Sequence, residues 1–291
     1  MSLAILFNFI LLAMPGQNLY AEPLSRETLR AAIPKDVLLD YRQFLADRHP
    51  SDIHEYSGAF SRRDVIEVII ILQALARAGL KQEVDFRELE TYSRQLAEVS
   101  SGRSALTLTS VWKEDGKRLQ ATSYISEALI EADEFIAGFY IHPDNKRALS
   151  ARTLSQLKML SAVCNRSWKR DWNLLHSFIP SDQIHSTVIW GNMVRMVNIG
   201  RVDFVLAPFQ QTSNLELIYE DIKLIPIPEI KVSLGESRHI LFSKKHPRGA
   251  ELFEKFSQGL DEMKKLGLIK QAYTQAGFFN SQVENWKLIT P

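Results

Sequence analysis

From Arg62 to Gly79 the segment RRDVIEVIIILQALARAG is apolar nearly all the way round and closes on a glycine, which predicts a helix packed deep against a sheet. EVDFREL then predicts a short strand, and TYSRQLAEVSSG a second helix closed by Gly102. SALTLTSVW alternates and is rich in β-branched residues, so it reads as one strand. Strand and helix in turn argue for an α/β sheet with crossover connections.

Beyond the polar stretch KEDGKRLQATSY, DEFIAGFYIHPDN predicts a strand ended by a proline turn. ARTLSQLKML predicts a helix, LSAVC a strand, and NRSWKRDWNLLHSF a loop opening a helix whose N-terminus points out of the sheet. IPSDQIHSTVIWGN should hold a further strand, MVRMVNIG a helix capped by Gly200, and RVDFVLAP a strand that stops at Pro208. IKLIPIP, the polar turn KVSLGES and the strand RHILFSKK return the chain. HPRGAELFEKFSQGLDEMKKLGLIKQAYTQAGF predicts two amphipathic helices interrupted by a glycine.

Composition narrows what this pattern can serve. The 291 residues suffice for one large domain or two lobes, and 45% hydrophobic with 24% charged residues is globular. Lys plus Arg number 35 against 34 Asp plus Glu, so no bulk field recruits nucleic acid or anionic lipid. The opening MSLAILFNFILLAMPGQNLYAEP has no charged side chain before Glu22, and its apolar run from Leu3 to Met14 is too short to span a bilayer. It predicts a signal peptide over 1–21, cleaved after Ala21, and a periplasmic mature protein. In an oxidising compartment the single Cys164 has no internal disulfide partner and reads as a buried small hydrophobe.

The order of elements resembles the periplasmic solute-binding protein family of type II topology, the receptors of ABC importers for amino acids and other small solutes. The resemblance runs roughly from Phe60 to Phe279. It rests on the helix-glycine pair around Gly79, RQLAEVSSG leading into LTLTSVW, GRVDFVLAP, and the closing helices in LFSKKHPRGAELFEKFSQGLDEMKKLGLIKQAY. It implies two α/β lobes joined by crossing strands, with residues 22–130 plus 213–291 in lobe 1 and 131–212 in lobe 2. The ligand would lie in the cleft, at strand carboxyl ends and helix amino ends, and closure would be a hinge motion.

Two departures bear on the ligand. Amino-acid receptors of this kind carry a threonine followed a few residues later by an arginine that clamps the ligand carboxylate. Here Thr109 is followed by SVWKED, and Arg118 lies beyond that spacing. They also place an acid at the tip of the strand after the GRVD-like turn, where this chain has Pro208. The candidates that remain are Thr109, Trp112, Tyr124, Trp168, Asp171, Gln210 and Gln211, with Trp172 beside them. If the strand tips converge, rings and amides suit an uncharged, flat or partly apolar ligand. The alternative is that the tryptophans are packing residues and the glutamines solvated.

No cofactor, metal or catalytic set is implied. SQLK, from Ser155 to Lys158, has the spacing of a serine–lysine nucleophile motif but lies on an ordinary amphipathic helix. His49 and His54 have acids nearby without a motif such as HExxH, and Asp171 in KRDW also suits the positive end of a helix. The expected function is a receptor for a small molecule, working with a membrane transporter, sensor or envelope protein. The alternative is a ligand-less structural or regulatory protein on the same fold.

Overall fold

The computed structural model describes residues 28–80 and 83–290, so the signal segment 1–21 expected above lies outside the described residues. The chain opens with β1 (Leu29–Pro34), α1 (Lys35–Leu45), α2 (Arg63–Arg77), β2 (Val84–Leu89) and α3 (Tyr92–Ser101). β3 (Leu106–Thr107), β4 (Val111–Trp112), α4 (Lys113–Arg118) and β5 (Ser123–Ile125) follow. The middle part holds β6 (Ile136–Ile141), α5 (Lys146–Leu149), α6 (Leu154–Leu157), β7 (Ala162–Cys164), α7 (Lys169–His176), β8 (Ile184–Ser186), α8 (Trp190–Asn198) and β9 (Phe204–Pro208). Then come β10 (Leu217–Tyr219), β11 (Ile222–Pro226), β12 (Ile230–Ser233), β13 (Arg238–His239), β14 (Leu241–Ser243), α9 (Gly249–Lys265), α10 (Leu268–Gln275) and β15 (Lys287–Leu288).

Two main sheets result, one per lobe. The first has the order β2-β1-β3-β14-β5, with β1 parallel to both β2 and β3. The second has the order β10-β11-β6-β9-β7-β8, and β12 also pairs with β6. The α2 segment is buried all round as its pattern predicts: Val65, Ile66, Val68, Ile69, Ile70 and Ile71 are all 0% exposed. Helix α9 crosses it so closely that a Cβ on Gly259 would stand 1.8 Å from the Ala74 carbonyl oxygen. Glycine is the residue that lets the two backbones approach.

Several expectations need correction. SALTLTSVW is two strands in different sheets, because the buried Glu67 carboxylate takes the Ser110 N–H at 2.8 Å and the Ser110 hydroxyl at 2.7 Å. That amide is no longer available to a neighbouring strand, and the ladder breaks. The stretch KEDGKRLQATSY holds α4, with acids in its first turn and bases in its last, as the helix dipole favours. Within ARTLSQLKML only Leu154–Leu157 is helical, started by a Thr153–Gln156 capping box. The turn KVSLGES contains the end of β12, and RHILFSKK divides into β13 and β14.

The expected lobe boundary at 212/213 also moves. Both β11 and β12 pair with β6, so residues 217–233 build the second sheet rather than the first. The return crossing therefore runs from Leu234 to Arg238. It pairs with the outgoing crossing: the Arg238 N–H donates to Ile130 O at 2.9 Å, and the Leu129 N–H donates to Arg238 O at 2.8 Å. His239 ties the same two segments, its Nδ1 donating to the Ser126 carbonyl at 2.8 Å. A third link is the C-terminal segment, where β15 lies parallel to β12 and Lys231 Nζ donates to the Val283 and Glu284 carbonyls at 2.7 Å.

Candidate functional site

The crossing segments deliver Arg238 to the junction of the lobes. Its side chain is buried at 7% exposure, yet it forms no ion pair with any carboxylate among the described residues. Nε donates to Ser110 Oγ at 2.8 Å and Nη2 donates to the Ser110 carbonyl, while Nη1 has no hydrogen-bond partner among the described residues. The guanidinium instead lies 4.3 Å from the Trp112 ring centroid and 5.5 Å from that of Phe135. Burial first, and then repulsion from Arg63, weaken its hold on its proton.

Arg63, in the first turn of α2, shares that environment, its guanidinium carbon 5.3 Å from the same Phe135 ring. Glu67 one turn on neutralises it through a 2.6 Å contact, and Tyr273 donates to the same carboxylate at 3.4 Å. The Nε of Arg63 is buried without a hydrogen-bond partner among the described residues. Asp64, 3.5 Å from Arg63, belongs mainly to the outer cluster in which Arg62 binds Asp36, Asp40 and Asp64.

The second lobe faces this cluster with the start of α7. Burial pushes the Asp171 carboxyl up to about 6, against the pull of Arg238, its own backbone amide, Arg63 and Arg170. Arg170 reaches back to the crossing and donates from Nε to the Leu234 carbonyl. A Cβ on Gly235, whose φ is +71°, would meet that guanidinium at 2.4 Å, so glycine makes room for the contact.

The structure brings together only part of the predicted set. Trp112 is buried at 3% exposure, packed on Phe135 with centroids 5.0 Å apart, and Asp171 lies within electrostatic reach of the Arg238 that covers the Trp112 ring. Thr109 is turned into lobe 1, where its hydroxyl and the Gln95 amide bond each other at 2.9 and 3.0 Å. Tyr124 stacks on Phe253 of α9 at 5.1 Å, under Lys244. Trp168 packs towards Trp190 at 6.4 Å, and Trp172 lies against His176 and under Arg166. Gln210 folds back to donate to its own strand at Pro208 O, 2.8 Å away. Gln211 accepts from the Gly58 N–H at 3.4 Å and borders a cavity of about 300 Å³ with Thr274, Gly277 and Asn280. Arg118, too far along the chain to clamp a ligand, pairs with Asp115 at 3.1 Å.

A neutral, ring-lined cleft is therefore not what these side chains build. The residues at this junction that sequence reasoning missed are Arg63 and Arg238. One signal pointed to Arg63: a cation at the amino end of a buried helix opposes the helix dipole, so another interaction must hold it there. For Arg238 the local sequence offers none, since its partner Ser110 lies 128 residues away.

No family model matches the chain, and no curated protein matches it by sequence. Solved structures match its fold. An amino acid ABC transporter substrate-binding protein from Streptococcus pneumoniae, bound to L-arginine, superposes with a TM-score of 0.59 at 17% identity over 86% of this chain and 93% of that one. The ancestral amino acid-binding protein AncCDT-1, a precursor of cyclohexadienyl dehydratase, gives 0.54 at 16% identity over 86% and 95%. A mutant of the T. maritima protein ArgBP gives 0.53 at 13% over 87% and 96%. The chain thus has the two-lobed fold of the type II periplasmic binding proteins.

Proposed function

We propose that this chain is an exported receptor that captures a small solute between its two lobes and presents it to a membrane transporter or a sensor of the cell envelope. The observation that carries the reading is Arg238, a buried guanidinium on a crossing segment that, among the described residues, forms no ion pair and has no hydrogen-bond partner at Nη1. Glu67 and Asp171 act on it only at a distance, and a buried guanidinium N–H left without an acceptor is costly, so the open edge is a place for a ligand oxygen. Its position at the meeting of both crossings makes occupancy sensitive to how the lobes sit, which is what a closing receptor requires.

The acid that would meet a ligand ammonium is absent from the tip of β9, where Pro208 pairs with Ala137. The competing reading, a ligand-less envelope protein, draws on the links between lobes: the Arg170–Leu234 contact and the β12–β15 pairing. Thermal-shift screening of the mature protein against amino acids, organic acids, sugars and nucleosides separates the two. A ligand present at a hundred times its Kd adds about 2.7 kcal/mol to the folded state. A receptor gives at least one saturable stabiliser; a flat response across all classes supports the ligand-less reading.

A further inference from the structure

The C-terminal segment ties the two lobes together a third time, on a flank that the paired crossings do not reach. We propose that residues 280–290 are a latch, which holds the lobes at the angle of this structure while bound to lobe 2 and must detach from it before they can part. The latch acts on the lobes themselves, with or without a solute between them.

Its root is in lobe 1, where Phe278 and Phe279 each pack on Tyr273 of α10 with centroids 5.3 Å apart. The next residue is already on lobe 2, since Asn280 Nδ2 donates to the Gln210 carbonyl at 3.2 Å. Gly277 comes so close to the loop after β9 that a Cβ there would stand 2.5 Å from the Gln211 amide nitrogen. No chain is spare between these anchors, so the lobes cannot part on this flank while both hold. Further on, Val283 and Trp286 pack with Phe209, Leu215 and Ile136 of lobe 2, Trp286 edge-on to Phe209 at 5.4 Å. Lys231 Nζ donates to the Val283 and Glu284 carbonyls at 2.7 Å. The Lys287 N–H donates to Glu229 O at 2.9 Å and the Ile289 N–H to Lys231 O at 2.8 Å, which sets β15 against Ile230 and Lys231 of β12. That grip lies about 10–13 Å along the strand from the crossing at Leu234. A turn about the crossing therefore carries the gripped end of β12 away from lobe 1 and loads the latch.

The links between the lobes differ in how readily they break. The crossing pair is buried at Leu129, Ile130, Arg238 and His239. The latch is held at the edge of the solvent: both residues of β15 are exposed, as is the Lys231–Glu284 bond, and a cavity of about 300 Å³ lies between residues 279–282 and 211–213. Solvent-exposed backbone bonds of this kind open locally, well below the free energy of global unfolding. Val283 and Ile289, both 4% exposed, draw the segment back into place.

The test follows amide hydrogen exchange of the mature chain together with an interlobe distance, read by pulsed electron paramagnetic resonance between spin labels. The labels sit on Ser93→Cys in α3 and Ser155→Cys in α6, both exposed positions, while the buried Cys164 stays out of their reach. In the unsubstituted chain the Lys287 and Ile289 amides should exchange about tenfold or more faster than those of β6 and β9. Lys231→Met keeps the aliphatic stem and removes the donor, and Trp286→Ala removes the ring against Phe209. Each should raise exchange at Lys287 and Ile289 by about tenfold again, leave β6 and β9 unchanged, and lengthen or broaden the distance between the labels. Should Trp286→Ala fail to fold, Lys231→Met decides alone.

Exchange at Lys287 and Ile289 as slow as in β6 and β9 overturns the proposal, since the segment then opens only with the whole fold. Lys231→Met without effect on exchange overturns it too. So does a variant that frees these amides and leaves the distance as it was, because the segment is then a tail that bears no load.

Discussion

Arg238 and Trp112 are direct partners across an antiparallel pair, with the guanidinium carbon 4.3 Å from the indole centroid. The ring adds to the negative potential that Glu67 and Asp171 exert from further off, and it fills the junction between β4 and Phe135. Trp112→Ala should therefore cost about 3–5 kcal/mol of stability, read as a shift in urea midpoint. Trp112→Phe keeps an aromatic face and should cost about 1–2 kcal/mol. A loss under about 1 kcal/mol for the alanine variant would show that Trp112 is not packed at the hinge.

Asp171 gives the fold an unusual pH response. Burial raises its pKa to about 6, above the ordinary 3.8, against the opposing pull of Arg238 on β13, Arg63 on α2 and Arg170 on α7. Cys164 on β7 also bears on it, as a neutral thiol whose own pKa burial raises. Because the folded pKa is raised, the folded state binds the proton more tightly. Its stabilising contribution is fully present below 3.8 and disappears as pH rises through about 6. Across that window the loss from this group is about 2–3 kcal/mol. Asp203, Asp64 and Glu251, whose pKa values are lowered, act in the opposite sense. The measurement is therefore the difference in unfolding free energy between the wild type and Asp171→Asn from pH 4 to 7. The Asn variant should gain on the wild type as pH rises, and a constant difference would contradict the assignment.

Much of the architecture could be read from local patterns. The periods of α2, α9 and β9 need no distant information, and Gly79, Gly102 and Gly200 all adopt the positive φ that their helix ends require. What could not be read depends on partners far along the chain. Glu67 breaks the strand at Ser110 from 43 residues away, and pairing to β6 draws β11 and β12 into the second sheet. The surroundings of the candidate residues were hidden for the same reason: Thr109 carries a suitable hydroxyl, but Gln95 claims it, while Arg238 acquires its setting only beside Ser110, Trp112 and Asp171.

Gly259 tests the contact between α2 and α9. Alanine there gains about 1 kcal/mol of helix propensity, yet its Cβ would stand 1.8 Å from Ala74 O and 2.5 Å from the Ala74 carbonyl carbon. Backbone cannot yield as a side-chain tip does, so the clash should win and Gly259→Ala should lose at least about 2 kcal/mol net. Gly200 provides the contrast, with nothing within 4 Å of the position a Cβ would take but a φ of +69°. Gly200→Ala should cost only the strain of a left-handed residue, about 1–2 kcal/mol. Urea melts of the two variants compare the terms directly, and equal losses would mean that helix approach is not limiting at Gly259.

Asp203 explains why the GRVD turn precedes β9. Burial works against its charge, but the Ser161 amide and hydroxyl at 2.8 and 2.9 Å, Asn145 at 2.8 Å and Arg147 at 2.7 Å hold its pKa below the ordinary 3.8. These bonds fix the entry to β9 against the segment leading into β7. Arg147 is largely exposed, so solvent screens its share and the Ser161 and Asn145 bonds supply most of the effect. Asp203→Ala should then cost about 2–4 kcal/mol at neutral pH. With a depressed folded pKa, the contribution is present above 3.8 and is lost as pH falls through the folded value. The gap between wild type and variant should therefore be widest at neutral pH and narrow below 3.8. A gap that stays constant into acid would mean that volume, rather than charge, makes Asp203 necessary.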